Sequence, residues 1–141
     1  MITITVTGKP IAQARPRFVR RGKFVSTYNP QETEAGRFML LAKSQLPVNF
    51  KPLEGPLRAL CEFRVPIPSS KSKKAKAAML AREVWPTGRP DLDNYVKFVK
   101  DALNGLVWGD DSQIVDLFAT KVYAEQPGTV ISVAHKERHS D

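Results

Sequence analysis

The stretch from Leu92 to Leu106 constrains the fold of this 141-residue chain more than any other, because its apolar residues recur every three or four positions. That spacing places them on one face of an α-helix, and Asn104-Gly105 supplies a typical helix stop. Such a face has to be covered by other elements. A chain of this length suits a single core, so we expect one domain, residues 1–141, built around this helix. The apolar positions are Leu92, Tyr95, Val96, Val99, Ala102, Leu103 and Leu106.

Four other segments alternate apolar and polar residues, which is the period of a β-strand. The first is MITITVT at the N-terminus, and the second is LRALCEFRV, residues 57–65. Residues 113–125 and 128–137 are two further predicted strands. The short connection between these last two, Gln-Pro-Gly, predicts that they pair as a hairpin.

Two additional helices are predicted. Phe38, Leu41 and Ala42 lie at helical spacing and indicate a helix from about residue 31 to residue 46. Residues 69–85, SSKSKKAKAAMLAREVW, begin with serines that suit a helix cap and then carry four lysines. Because this segment becomes apolar only at its centre, it predicts a short, exposed helix.

The net charge of the chain is +8 and its pI is about 9.8. A small domain tolerates such self-repulsion most simply when it binds a polyanion, so nucleic acid is the favoured partner, ahead of acidic membranes. No apolar run approaches the roughly 18 residues of a membrane span, and the alternating N-terminus is unlike a signal peptide. We therefore expect a cytoplasmic protein with no membrane partner.

Basic residues cluster in two segments. Residues 9–23 contain no acidic residue, are broken by prolines and a glycine, and read as a loop or hairpin. A charge run is commonly just a solvated loop, but arginines interleaved with Phe18, Phe24 and Tyr28 are typical of a surface that binds phosphates and bases. The second segment is the lysine cluster between Lys71 and Lys76, which we expect to attract DNA without regard to its sequence. The predicted DNA-binding residues are Arg15, Arg17, Arg20, Arg21 and Lys23 from the first segment and Lys73 and Lys74 from the second.

Four aspartates stand out against this basic background: Asp91 and Asp93 at the start of the main helix, and Asp110 and Asp111 soon after it. A carboxylate at a helix start is ordinarily a cap. One helix start needs only one capping side chain, however. A cluster of acidic residues in a chain that is otherwise basic indicates bound cations. A group of carboxylates without histidine or cysteine suits Mg²⁺, or Mn²⁺, and phosphoryl chemistry.

Lys97 lies one helical turn after Asp93, where its ammonium could reach a phosphate at the metal site or form a simple surface ion pair. The helix between the two acidic pairs runs roughly 18 Å. Residues 105–112 therefore have to double back to bring Asp110 and Asp111 to the site, or a partner subunit has to supply these carboxylates. The sequence leaves both arrangements open.

Taken together, these motifs and their spacing resemble the signature of the RusA family of Holliday junction resolvases. The segment GKPIAQARPR near the N-terminus also resembles the usual sequence pattern of that family. The resemblance covers most of the chain, and the ordered set is far more specific than any single triplet. Its elements are Asp91-Leu92-Asp93-Asn94, Lys97, Asp101-Ala102-Leu103, residues 108–115 (WGDDSQIV), Tyr28-Asn29-Pro30 and Lys121.

The resemblance implies a small α/β fold of the α+β type, with a mixed sheet of about four strands packed by two to three helices, assembled as a homodimer. It also implies an endodeoxyribonuclease that binds four-way DNA junctions in recombination and repair and, with Mg²⁺, introduces paired symmetrical nicks. Proteins of this kind occur in bacteria and are often encoded by resident phages.

By position, the resemblance makes Asp91, Asp93 and Asp111 the metal-binding carboxylates and Lys97 the catalytic lysine, with Asp110 as a neighbouring candidate ligand. Some members carry a functional arginine immediately before the first aspartate, whereas this chain has Pro90 there, preceded by Arg89. Arg89 is a further candidate for DNA binding. Two other functions stay open: a nuclease for flaps or forks with the same metal site, and a non-catalytic DNA-binding protein whose aspartates only cap a helix.

Overall fold

The computed structural model describes residues 1–13, 17–21, 24–28 and 32–138; for residues 17–21, 24–28 and 32 it describes the backbone alone. Of the strands in these described ranges, four form a mixed sheet in the order β1-β6-β4-β5 and two form a separate hairpin. Within the mixed sheet, β4 is parallel to β5, and the other neighbours are antiparallel. The strands are β1 (Ile2–Thr7), β2 (Arg17–Arg21), β3 (Phe24–Tyr28), β4 (Leu57–Pro66), β5 (Ile114–Ala124) and β6 (Gly128–His135).

Three helices and one 3₁₀ turn accompany the strands in the described part of the chain: α1 (Glu32–Ser44), α2 (Lys73–Leu80), α3 (Leu92–Leu103) and the turn Asp111–Gln113. The expected α+β class, with a mixed sheet of about four strands and two to three helices, is confirmed. Gly105 ends α3 with φ of +78°, a conformation that glycine adopts without strain, as its position after the helix predicts.

The core lies between one face of the sheet and the helices α1 and α3. Alternate residues of each central strand point into it, so β4 buries Leu57, Ala59, Cys61 and Phe63. Phe63 stacks on Tyr95 of α3, with ring centroids 5.0 Å apart. Burial raises the pKa of the Cys61 thiol to about 11, which makes this cysteine an unreactive core residue.

The predicted hairpin between the last two strands is wrong. β5 and β6 are consecutive in the chain, but β4 lies between them and pairs with both. Second neighbours in a sheet are about 10 Å apart, a gap that the three-residue connection 125–127 can span. Alternation identifies a strand but carries no information about which strand lies beside it.

The basic N-terminal segment forms the hairpin that its composition allowed. β2 and β3 pair in antiparallel fashion, with Arg17 opposite Tyr28. Among the described residues, no helix is long and apolar enough to cross a membrane.

Candidate functional site

The candidate site is built around the start of α3. The chain enters this helix through residues 88–90, and Lys121 of β5 holds that entry. Its ammonium donates hydrogen bonds to the backbone carbonyls of Gly88 at 3.0 Å and Pro90 at 3.1 Å. Because Asp91 follows Pro90 directly, Lys121 fixes the backbone from which the first candidate carboxylate projects.

Asp91 occupies the N-cap position of α3, yet its side chain is not used as a cap in the described part of the structure. The helix begins through its backbone instead, since the carbonyl of Asp91 accepts from the amides of Asn94 at 3.1 Å and Tyr95 at 3.4 Å. The ordinary reason for an aspartate at this position is therefore not realised here. Its carboxylate is exposed and available to a ligand.

Along one exposed face of α3, acidic and basic side chains follow one another. Asp93 and Lys97 form an ion pair at 3.9 Å, and both side chains are more than 60% exposed. One turn further, Lys100 forms an ion pair with Asp111 at 4.0 Å. Residues 105–110 thus double back within the same chain and bring Asp111 to the ammonium of Lys100. The Cα of Lys100 itself lies about 10 Å along the axis from that of Asp93.

Asp110 has a different role from its neighbour. Its carboxylate accepts a hydrogen bond from the backbone amide of Ser112 at 3.0 Å, and its own amide donates to Oε1 of Gln113 at 2.9 Å. These two contacts form a capping box at the 3₁₀ turn. The hydrogen bond from the Ser112 amide is the main reason that the pKa of Asp110 lies below its usual value.

The 3₁₀ turn is fixed to the rest of the fold by two contacts. Nε2 of Gln113 donates to the carbonyls of Leu53 at 2.9 Å and Gly55 at 3.0 Å. Trp108, just before the turn, is buried and donates from Nε1 to Oδ1 of Asn104 at 2.8 Å. Asp111 is therefore presented from a supported turn rather than from a loose loop.

The chemistry of these side chains fits a hard divalent cation, because they offer carboxylate oxygens and no histidine or cysteine. Within residues whose side chains are described, no group of three or more acidic, histidine or cysteine side chains is already closed around a metal position. Lys97 and Lys100 balance the charges of Asp93 and Asp111 in this arrangement. Binding of a cation by Asp93 or Asp111 would replace these ion pairs with the lysines.

The predicted DNA-binding residues are distributed unevenly. Lys73 and Lys74 are exposed in the first turn of α2, and Arg89 is exposed in the entry to α3, two residues before Asp91. Arg17, Arg20 and Arg21 belong to β2, whose backbone alone is described. The predictions for Arg15 and Lys23 lie outside the described residues.

Sequence reasoning missed Lys100 and the structural role of Lys121. Lys100 is seven residues after Asp93, which places the two on the same helical face, and this spacing is the signal that could have identified it. Lys121 is in register with the inward-facing Phe63 of β4, so it lies on the inner face of β5. A lysine on the inner face of a strand is unusual enough to indicate a specific partner.

Comparison with known proteins relates the chain to a family and to a relative. A family model described as endodeoxyribonuclease RusA matches residues 7–134, which include every candidate metal ligand named above. The uncharacterized protein YqaN of Bacillus subtilis (strain 168) is 39% identical over 137 residues, covering 94% of each chain.

Proposed function

The chain belongs to the RusA family of endodeoxyribonucleases, and on that premise we propose that it resolves Holliday junctions by paired, symmetrical, Mg²⁺-dependent nicks. Members of this family are endodeoxyribonucleases that act on branched DNA. The observation that carries the proposal for this chain is the carboxylate of Asp91, which stands at a helix start and makes no cap hydrogen bond with the described residues. A protein that used its aspartates only as helix caps would have no need to leave this group exposed.

We assign Asp91, Asp93 and Asp111 as the residues that would hold Mg²⁺, with Asp110 beside them. Asp110 supports the turn through its capping box, so its first role is to position Asp111. When bound, Mg²⁺ supplies charge neutralisation at the phosphate and lowers the pKa of coordinated water. Mn²⁺ prefers the same oxygen ligands and is expected to substitute for it.

Lys97 contributes an exposed positive charge beside Asp93 at the start of α3. Its Nζ lies 3.9 Å from the Asp93 carboxylate, so a phosphate held near Asp93 is within reach of the same ammonium. During hydrolysis of a phosphodiester, negative charge grows on the phosphoryl oxygens and on the leaving oxygen. Lys97 stabilises that charge by donating hydrogen bonds to those oxygens.

The basic residues bind the DNA backbone around this centre. Arg89 lies beside the site in the chain, and Lys73 and Lys74 extend the positive surface along α2. The arginines of the N-terminal hairpin are proposed to add further phosphate contacts. A homodimer completes the proposal, because a four-way junction is close to two-fold symmetric and two related sites make the two opposed cuts.

The test uses purified full-length protein and a labelled mobile four-way junction, with and without Mg²⁺. Flap, fork and linear duplex substrates of matched sequence are included, together with Asp93→Asn and the control Glu34→Gln, which changes an exposed acid on α1. We expect paired symmetrical nicks in the junction from the wild type and the control, and junction binding without nicks from Asp93→Asn.

Other results separate the competing functions. Preferred cutting of flaps or forks would replace the resolvase with a different branched-DNA nuclease that uses the same site. Junction binding without any Mg²⁺- or Mn²⁺-dependent cutting by the wild type would make the chain a non-catalytic DNA-binding protein. Equal cutting by Asp93→Asn and the wild type would remove Asp93 from the metal site.

A further inference from the structure

The segment that connects α2 to α3, residues 81–90, is held at both of its ends; we call it the strap. Near its beginning, Nη2 of Arg82 donates to Oε1 of Glu62 on β4 at 3.4 Å. Near its end, the Lys121 ammonium donates to the carbonyls of Gly88 and Pro90. The strap is therefore a connection with two fixed points, the second of which is also the entry to the candidate site.

The two fixed points lie on opposite faces of the sheet. Glu62 is in register with Thr120 of β5, so their side chains share one face, whereas the next residue, Lys121, points to the other. Between Arg82 and Gly88 the strap thus passes from one face of the sheet to the other and ends at β5, one of the two edge strands. Residues 83–87 lie between the two fixed points.

The middle of the strap presents apolar side chains to solvent. Trp85 is 50% exposed, and Val84 before it is 43% exposed, while Pro86 after it is buried. Trp85 stands three residues from each fixed point, which limits its Cα to about 10 Å from that of Gly88. A half-exposed aromatic ring on a connection that leads into a charged site is in a position to contact a ligand of that site.

We propose that Trp85 stacks on a DNA base at the branch point of the substrate, and that this contact contributes to the preference for branched over linear DNA. The inference rests on the proposed function and identifies a substrate contact for it. Bases inside a continuous duplex are covered by their neighbours, whereas a branch point exposes base faces to a stacking side chain.

The basic sequence of the segment that carries Trp85 favours DNA as its partner. Residues 71–90 contain six cationic residues and one acidic residue, and four of the cations lie between Lys71 and Lys76. An aromatic side chain among cations is the combination that binds unstacked nucleic acid, because the cations hold the backbone while the ring takes the base. A second copy of this +8 chain would bring like charges together at the same surface.

The chain offers a direct optical test, because it has two tryptophans and the other, Trp108, is buried at 1% exposure. The four-way junction and a linear duplex of matched sequence are titrated without Mg²⁺ into the wild type, Trp85→Phe, Trp85→Ala and the control Val84→Ala. Tryptophan emission and the Kd are measured for each, and sedimentation gives the oligomeric state.

We expect the junction to quench the wild-type emission and to leave the Trp108 emission of Trp85→Phe unchanged. Trp85→Ala should weaken junction binding by about 5- to 100-fold, while duplex binding changes by less than about 2-fold. Trp85→Phe should recover most of the loss, since a smaller ring still stacks. Val84→Ala should bind as the wild type does.

Three results would overturn the inference: unquenched wild-type emission, unchanged junction affinity of Trp85→Ala, or dissociation of an oligomer by Trp85→Ala, which would make Trp85 a contact between copies. Cutting assays with Mg²⁺ keep the two proposals apart. If the junction is cut normally but neither quenches the emission of Trp85 nor loses affinity in Trp85→Ala, this inference alone is refuted. If junction binding depends on Trp85 but no DNA is cut, the proposed nuclease is refuted and the base contact stands.

Discussion

Asp91 and Asp110 occupy equivalent positions in two neighbouring parts of the molecule, since each is the N-cap of a helical turn with an extended backbone. At the 3₁₀ turn, the Asp110 carboxylate accepts the Ser112 amide and completes a capping box. At α3, the Asp91 carboxylate makes no such contact with the described residues. The same residue type at the same kind of position thus serves the fold in one place and is left free in the other.

This difference distinguishes a carboxylate that supports a turn from one that is available to a ligand, without reference to any relative. A capping carboxylate is committed to its own turn, so a metal ion would have to compete with a backbone amide for it. An uncommitted carboxylate can bind a cation without breaking such a contact. The comparison therefore ranks Asp91 above Asp110 as a metal ligand and gives Asp110 the task of holding Asp111 in place.

The largest expected effect is on DNA cleavage. Asp91→Asn keeps the shape of the side chain but removes the charge that would hold Mg²⁺, so cutting of the four-way junction should fall on the order of 100-fold or more. Asp110→Asn retains an oxygen that can accept the Ser112 amide and should lose less than about 10-fold. Single-turnover rates at saturating Mg²⁺ measure both variants, and equal losses would show that Asp91 and Asp110 do not differ in this way.

The next effect concerns the support of Asp91. Lys121→Met removes both hydrogen bonds to the entry of α3 while keeping an unbranched side chain, and we expect about a 10-fold lower single-turnover rate. The Kd for the junction without Mg²⁺ should stay the same, because Lys121 positions the carboxylate rather than the DNA. Lys121→Arg, which restores the donors, should recover part of the rate. A raised Kd at an unchanged rate would instead make Lys121 a DNA contact.

Much of this fold could be predicted from the sequence, because its elements carry clear periods. The three-and-four spacing of α3 and the alternation of β1 and β4 each identified an element that the structure contains. The order of the strands could not be predicted. β4 takes the place between β5 and β6, and that choice depends on the path of α2 and α3 through space, which no local pattern records.

The candidate site could likewise be predicted only in part. Residue types and spacing singled out Asp91, Asp93, Lys97 and the acidic pair, since carboxylates in a basic chain are conspicuous. Which of the carboxylates is already used as a cap depends on side-chain rotation, and no spacing rule predicts it. The ion pair of Lys100 with Asp111 likewise needed the path of residues 105–110 in three dimensions.

Metal binding in the absence of DNA is a second way to test whether Asp91 and Asp110 have different roles. A cation that binds only the folded state stabilises it. At a cation concentration ten times its Kd, the free energy of unfolding rises by about 1.4 kcal/mol. We expect Mg²⁺ or Mn²⁺ to raise the melting temperature of the wild type and of Asp110→Asn, and to leave that of Asp91→Asn unchanged. Calorimetric titration with Mn²⁺ supplies each Kd. A gain that survives in Asp91→Asn and disappears in Asp110→Asn would reverse the two roles.

The smallest expected effect is on stability in the absence of metal, and it separates the two aspartates in the opposite direction. Asp110→Ala removes the acceptor of the Ser112 amide and should lower the melting temperature by a few degrees. Asp91→Ala removes a carboxylate that caps nothing among the described residues, so its melting temperature should match that of the wild type. Thermal unfolding followed by circular dichroism in a chelating buffer measures both. If Asp91→Ala were the less stable variant, its carboxylate would be a helix cap in solution, and the strongest structural argument for a metal site at the start of α3 would be lost.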